Sequence, residues 1–417
     1  MKYAIVTFGC RVNQADSFQI EEQLIAAGGS ASATHDADLV VVNTCSVTSS
    51  ADQGTRQIVR KIARENPTAR IVVTGCYATR RPDEVAALPG VVQIVPNDRK
   101  DAFAKDIGLT TAQRFGDGDG ACGDDIAPGL AGRTAFTLRV QTGCDQACSY
   151  CIIPSTRGTG RSRPVREVLS EIDRVRAAGY REIAITGVHL GSYGRDLPDG
   201  SSLVDLLRAI ERHAPDMRFR ISSLEPMDCP DEIVDLVAAS TCVAPHFHLP
   251  LQHASDAMLV AMRRPYTLAY YRRLVDRIRC AMPHASIGTD IIVGFPGESD
   301  DDFAVLASYL PESPITHAHV FPYSDRPGTA AAEITGRVHG AIVRERASAI
   351  RAIGHRLNQS FQRAQDGSVR PGLTIEDGSL VVTDNYLKVR ISPGHVRNEW
   401  VAVRLITNGD ALGAVVV

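Results

Sequence analysis

Short apolar runs punctuate the first hundred residues at Tyr3–Thr7, Leu39–Asn43, Arg70–Thr74 and Val91–Val95. Each run is continuous rather than alternating, so each predicts a strand buried on both faces, as in a parallel sheet. Ser17–Ala27, Ser50–Glu65 and Pro82–Leu88 lie between them and read as helices. Residues 1–110 therefore predict an α/β domain with an open parallel sheet. Residues 111–133 are rich in Gly, Asp and Ala and lack an apolar period, which predicts a linker. Cys122 falls inside it and is not expected to be a ligand.

The strand–helix alternation resumes over residues 134–360. Strands are expected at Ala135–Val140, Glu182–Thr186, Arg218–Ser222, His246–Leu249, Ile287–Val293 and His317–Val320. Six βα units predict a partial (β/α)6 barrel whose working loops stand at the carboxyl ends of the strands. A helix near Ala341–Gln365 follows. Residues 366–417 change character: Thr374–Ile375, Ser379–Thr383, Tyr386–Ile391, Trp400–Ile406 and Ala411–Val416 are short β-like runs split by Gly, Asp and Asn. They predict a small all-β barrel.

Composition narrows the setting. The chain has 417 residues, enough for two or three domains, and 44% of them are apolar, as in an ordinary globular protein. No run of about 18 apolar residues predicts a membrane span. The N-terminus reads as a strand entering a loop, without the apolar segment of a signal peptide. A cytoplasmic location is expected, where disulfides are rare and clustered cysteines are metal ligands. The net charge of −3 does not advertise a nucleic-acid binder, although phosphate contact needs only a local basic patch.

The cysteines carry the chemistry. Cys144, Cys148 and Cys151 form a CxxxCxxC loop directly after the first barrel strand. Three clustered thiolates suggest an iron–sulfur cluster with one iron open to a further ligand; a zinc site and three unrelated cysteines are the other readings of the same spacing. A second triad is dispersed. Cys10, Cys45 and Cys76 each follow a buried-strand candidate, and the carboxyl ends of such strands line one crevice. Three thiols at equivalent positions point to a second cluster. Cys229, Cys242 and Cys280 have no such placement and read as packing residues.

These motifs resemble the methylthiotransferase branch of the radical S-adenosylmethionine (SAM) enzymes. Thr7–Ser17, Val42–Thr48 and Val73–Ala78 are similar to the branch's first three cysteine motifs. Cys151–Pro154, Arg157-Gly158 and Arg161–Arg163 resemble the radical loop. Phe247–Gln252, Met262–Thr267, Gly288–Glu298 and Val320–Ser324 are similar to further family blocks. The resemblance runs over nearly the whole chain. Arg11–Gln14 after Cys10 places it nearest the MtaB type, which acts on threonylcarbamoyladenosine at tRNA position 37.

The resemblance implies the following. The cluster on Cys144, Cys148 and Cys151 chelates S-adenosylmethionine and, with one electron, yields a 5′-deoxyadenosyl radical. The cluster on Cys10, Cys45 and Cys76 carries the sulfur to be inserted. Both are 4Fe-4S clusters, and two S-adenosylmethionine molecules are used per turnover. Carbon 2 of the adenine is attacked; its C–H bond has no acidic proton, so a cofactor must carry the chemistry. The implied partners are the tRNA anticodon loop, a low-potential donor such as flavodoxin or ferredoxin, and a sulfur source. Tyr150, Gly187, Ser223, Glu225 and Gln252 are the candidate cofactor contacts. Arg157, Arg161 and Arg163, joined by Arg166, are candidate phosphate contacts. Tyr386 and Lys388 in the tail, which resembles an RNA-binding TRAM barrel, are candidate RNA contacts. His246, His248 and His253 read as hydrogen-bonded barrel residues rather than metal ligands. Three alternatives stay open: isopentenyladenosine as substrate, a ribosomal-protein side chain as substrate, and a non-catalytic cluster or zinc protein that binds RNA.

Overall fold

In the computed structural model the described residues are 1–109, 128, 134–409 and 411–417. The expected linker over 111–133, with Cys122, lies outside them apart from Pro128. Strands β1 (Lys2–Thr7), β2 (Ser30–Ala31), β3 (Leu39–Thr44), β4 (Arg70–Gly75) and β5 (Val91–Val95) form a parallel sheet in the order β2-β1-β3-β4-β5. The four long strands match the continuous apolar runs. The edge strand β2 has only two residues and no apolar signal.

Helices α1 (Arg11–Ala26), α2 (Ser49–Glu65), α3 (Cys76–Arg80), α4 (Pro82–Ala86) and α5 (Phe103–Asp106) cover this sheet. β3 is buried along its whole length. Val40 and Val42 pack with Val59 and Ile62 of α2. Leu39 and Val41 point the other way, onto Ile20 and Leu24 of α1 and Phe103 of α5. Each such side chain contributes about 1.5–3 kcal/mol by leaving water, which is why the sheet is clad on both faces. Helix α1 begins six residues before the expected Ser17. Its first turns are polar, and Asn13 and Asp16 are buried there rather than solvated.

The described residues form two compact units. The first comprises 1–109, 141–161 and 324–332, and the second 128, 134–140, 162–323 and 333–417. In sequence, β6 (Phe136–Arg139) precedes the cysteine loop, which β7 (Gln141–Thr142) and β8 (Arg161–Ser162) bracket and which contains α6 (Ile153–Arg157).

In the second unit β6, β9 (Glu182–Thr186) and β10 (Arg218–Ile221) form one parallel sheet, with β9 in the middle. β11 (His246–His248), β12 (Ser286–Val293) and β13 (His317–Pro322) form another. Parallel bridges from Phe219 to Val243 and from Ser223 to His248 join the two into a six-stranded partial barrel. The intervening helices are α7 (Val165–Ala177), α8 (Leu203–His213), α9 (Asp231–Ala239), α10 (Asp256–Ala261), α11 (Leu268–Ala281) and α12 (Asp300–Glu312). Ser202–Asp205 and Ser299–Asp302 form capping boxes that start α8 and α12. Tyr271 of α11 donates to the Leu249 carbonyl at 2.9 Å, fixing the helix side of the sheet.

Helix α13 (Gly340–Arg363) leads into an antiparallel sheet of β14 (Val369–Ile375), β15 (Leu380–Thr383), β16 (Lys388–Arg390), β17 (Trp400–Asn408) and β18 (Ala411–Val416). Its order is β16-β15-β14-β17-β18, and β16 comes back beside β18, so the barrel is nearly closed. Phe361, Val381, Val389, Val403 and Leu405 fill it. Arg220 of β10 fastens it to the parallel strands. Its guanidinium donates twice to Glu182, at 2.9 and 3.0 Å, and to the carbonyls of Thr383 and Asp384 at 2.8 and 2.7 Å. Among the described residues, no helix is long and apolar enough to cross a membrane.

Candidate active site

Cys10, Cys45 and Cys76 follow β1, β3 and β4, three neighbouring strands of one sheet. A glycine precedes two of them. Gly9 has φ +92°, and a Cβ there would lie 2.6 Å from the Cys45 Cβ. Gly75 has φ +99°, and its Cβ would lie 2.2 Å from the Thr44 carbonyl oxygen. Only glycine permits both the left-handed turn and the close approach that bring these loops together. Asn13 ties two of the loops by donating to the carbonyls of Phe8 and Thr44 at 2.9 and 2.8 Å. Thr44 ties the third: its hydroxyl donates to the Thr74 carbonyl at 2.6 Å and accepts from the Ala78 N–H at 3.2 Å.

Cys45 and Cys76 are buried and Cys10 is exposed. Burial pushes the Cys45 thiol up to about 11; a hydrogen bond from Val47 opposes this, and the Cys76 and Cys10 sulfurs reinforce it. A bound cation inverts that order, because it holds coordinating thiols deprotonated.

Beneath the triad is a buried polar network that sequence reasoning missed. Asp16 accepts from Lys100 Nζ at 2.8 Å and from Arg157 Nη2 at 2.9 Å. Lys100 also donates to Asn43 Oδ1 at 3.0 Å, and Arg157 to Asn13 Oδ1. Burial works against the charge on Arg157, but Asp16, helped by Cys76 and Cys10, holds its pKa above the usual range. Burial lowers the Lys100 pKa, with Asp16 opposing and Arg157 assisting. Arg157 sits six positions after Cys151, so one carboxylate anchors the end of the CxxxCxxC loop to the helix that follows Cys10.

The loop has other anchors in the same unit. Asn97 donates to the Thr156 carbonyl at 2.9 Å and lies 3.6 Å from the Cys76 sulfur. The Ala331 N–H donates to the Ser149 carbonyl at 2.7 Å. Arg326 pairs with Asp52 at 2.7 Å, and Asp52 in turn accepts from Ser46, next to Cys45. Backbone N–H groups two residues on also point at sulfur: Val47 to Cys45 at 3.5 Å, Gln146 to Cys144 at 3.4 Å and Ile153 to Cys151 at 3.4 Å. Amide donors around clustered thiols suit thiolate ligands of an iron–sulfur cluster. Both triads fit such groups.

In the second unit the candidate cofactor residues stand at successive strand ends. Gly187 follows β9, Ser223 and Glu225 follow β10, and Gln252 follows β11. Ser223 is exposed and Glu225 half-buried, paired with the buried Arg264. Gln252 has φ +66°, which is costly for a non-glycine residue and marks constrained backbone. Its N–H donates to the Asp290 carbonyl at 2.8 Å, and its carbonyl accepts from Ile292 at 2.8 Å. The loop after Gly187 is held by His189, whose ring lies 2.6 Å from Asp228, while Asp228 also pairs with Arg195 at 2.6 Å. Burial would raise the Asp228 pKa, but the His189 bond and both positive partners lower it. Tyr150 is half-buried within the first unit.

Comparison with known proteins gives the family. The profile of the Uncharacterized protein family UPF0004 matches residues 2–96, and that of the Radical SAM superfamily matches residues 138–310. The threonylcarbamoyladenosine tRNA methylthiotransferase MtaB of Bacillus subtilis (strain 168) is 32% identical over 410 residues, covering 93% of this chain and 89% of that protein. The chain belongs to the MtaB-type tRNA methylthiotransferases. A tRNA-2-methylthio-N(6)-dimethylallyladenosine synthase of Parafrankia sp. (strain EAN1pec) is 35% identical over 380 residues, 88% of this chain and 76% of that protein. The radical S-adenosylmethionine methyltransferase TsrM of Kitasatospora setae, solved with cobalamin and a [4Fe-4S] cluster, shares the fold. Its TM-score is 0.57 at 16% identity, over 79% of this chain and 76% of that one. This methylthiotransferase is thus a radical SAM enzyme, of a class that uses an iron–sulfur cluster and S-adenosylmethionine.

Three expectations need correction in this enzyme. Arg157 is not a phosphate contact: it is 6% exposed and bonded to Asp16 and Asn13. Arg161 and Arg166 are exposed and Arg163 half-buried, so they keep the basic character expected of that run. Tyr386 is not in a strand. It has φ +69°, and its ring lies 4.4 Å from His246 and 5.3 Å from the Arg220 guanidinium, so it helps seat the small barrel. Lys388 is exposed. Cys229 and Cys242 are buried packing residues, whereas Cys280 is exposed and does not pack.

Proposed function

We propose that this enzyme adds a methylthio group to carbon 2 of N6-threonylcarbamoyladenosine at position 37 of tRNA. The observation that carries the reading is the set of three thiols at the carboxyl ends of neighbouring parallel strands, with the CxxxCxxC loop anchored in the same unit. Such a set suits a second cluster dedicated to sulfur delivery. Three domains divide the work: residues 1–110, the radical SAM core over 134–360, and the TRAM-like barrel over 366–417.

Two 4Fe-4S clusters would be held, one by Cys10, Cys45 and Cys76 and one by Cys144, Cys148 and Cys151. When bound, the clusters and S-adenosylmethionine supply the one-electron chemistry that opens an aromatic C–H bond and delivers sulfur and methyl. The chain's own residues hold and tune these groups. Amides of Val47, Gln146 and Ile153 and the side chain of Asn97 offer hydrogens to the sulfurs. Asp16, Lys100 and Arg157 hold the two cysteine loops in register. Tyr150, Gly187, Ser223, Glu225 and Gln252 would contact S-adenosylmethionine. Arg161, Arg163 and Lys388 would meet phosphates of the tRNA anticodon loop. An electron donor of the flavodoxin or ferredoxin class and a sulfur source complete the cycle.

Nucleoside mass spectrometry of tRNA from a strain lacking the gene tests the substrate. Loss of 2-methylthio-threonylcarbamoyladenosine supports the reading. Its persistence, with loss of the methylthio-dimethylallyl nucleoside instead, would move the enzyme to the function that the Parafrankia relative is named for. Anaerobic reconstitution tests the cofactors, with about eight irons per chain expected for two four-iron clusters.

A further inference from the structure

Within the second unit, His248, Asp290 and His319 bring one ligand atom each within 4.8 Å of one another. We propose that these three residues form a binding site for a divalent transition-metal ion of the zinc or iron(II) class.

The site is built by strand register. His248 of β11 pairs with Gly288 of β12, which pairs with His317 of β13; Asp290 of β12 pairs with His319 of β13. Side chains alternate along a strand, so His248, Gly288, Asp290, His317 and His319 share one face. It is the face opposite Thr289, which meets Tyr271 of α11. Gly288 makes the room. A Cβ there would lie 2.2 Å from His317 Nε2 and 2.8 Å from His248 Nδ1.

Two of the three ligand spacings suit coordination. His248 Nε2 lies 3.1 Å and His319 Nδ1 3.2 Å from the same oxygen, Asp290 Oδ1. With metal–ligand bonds of ~2.1 Å, those separations correspond to ligand–metal–ligand angles of roughly 95–100°. Two imidazoles and one carboxylate favour zinc or iron over magnesium and calcium, which take oxygen ligands. Two ligands are sheltered and one is open: the side-chain exposures are 14% for His248, 25% for Asp290 and 60% for His319. The open side leaves positions for water or a carboxylate oxygen. A carboxylate hydrogen-bonded to two histidines is the competing account of the same distances. It predicts no metal.

The test uses the full chain with its clusters reconstituted anaerobically, then exposed to zinc and dialysed. The expected result is one further zinc per chain, with K-edge absorption giving nitrogen and oxygen ligands near ~2.0–2.1 Å and no sulfur near ~2.3 Å. His319→Ala and Asp290→Asn should each lose that zinc, while iron content and far-ultraviolet circular dichroism stay unchanged. His317→Asn, a neighbour that is not a ligand, should keep it. Absence of a further zinc in the wild-type chain, zinc bound only through sulfur, or retention in both ligand variants would overturn the proposal. If one ligand variant fails to fold, the other decides.

Discussion

Replacing Asp16 with Asn removes one charge and strands two. Asp16 is fully buried and its partners Lys100 and Arg157 have side chains only 2% and 3% exposed. At an effective dielectric of about 20, a pair 2.8 Å apart attracts by about 6 kcal/mol, and the second cation adds a similar gross term. Desolvation of three charged groups offsets most of this, and removing one partner from a buried pair costs about 3–5 kcal/mol net. Lys100 can relieve part of the penalty by giving up its proton, because burial already lowers its pKa. Arg157 cannot. A domain of this size has about 5–15 kcal/mol in hand, so the variant should fold but open readily. Hydrogen exchange followed by mass spectrometry reads the effect locally, in peptides covering α1 and residues 141–161. The opening free energy should fall by about 3–5 kcal/mol in both segments. Adding Lys100→Met to the variant should restore at least about 1 kcal/mol, since one unpaired cation is gone. A loss below about 1 kcal/mol in Asp16→Asn, or a further loss in the double variant, would refute the reasoning.

Three other outcomes follow from the same geometry. Cys76→Ala should retain about four irons instead of about eight and still cleave S-adenosylmethionine, yet insert no sulfur; loss of cleavage would contradict the division of labour between the triads. Arg220→Ala leaves Glu182 without its buried partner and frees the Thr383 and Asp384 carbonyls, so it should cost about 3–5 kcal/mol. Limited proteolysis should then release residues 366–417, and an unchanged digest would count against the docking role. Burial pushes the His317 pKa down to about 4, with His248 and His319 adding to the shift. The unfolded chain therefore takes the proton first: stability is complete above about pH 6.5 and is lost as pH falls toward 4, by about 2 kcal/mol at pH 5. With zinc withheld, His317→Asn should flatten that part of the urea-stability profile, and an equally steep profile in the variant would rule this origin out.

Much of this protein is legible in its residues. The runs Leu39–Asn43 and Arg70–Thr74 read as strands covered on both sides, because a short continuous apolar stretch hides its surface well in a sheet with helices on both faces. The spacing of Cys144, Cys148 and Cys151 pointed to a metal-binding loop, since thiols so close along the chain can share one metal group. Polar residues gave no comparable signal. Asn13 and Asp16 look like the start of a solvated helix, and only the arrival of Lys100 and Arg157 from distant segments makes their burial tolerable. The same holds for Arg157, whose neighbours Arg161 and Arg166 are exposed. An ion pair is a property of two places in the fold, and local pattern carries only one.

The sequence by itself determined where the long strands run, which cysteines follow strand ends and which family the chain resembles, because those features depend on periodicity and spacing along the chain. Only the tertiary structure decided that Arg157 serves Asp16 rather than a phosphate. It also decided that Tyr386 packs on His246 and that His248, Asp290 and His319 converge. Register and burial made those choices. They arise when strands far apart in sequence are laid side by side and water is removed from between them.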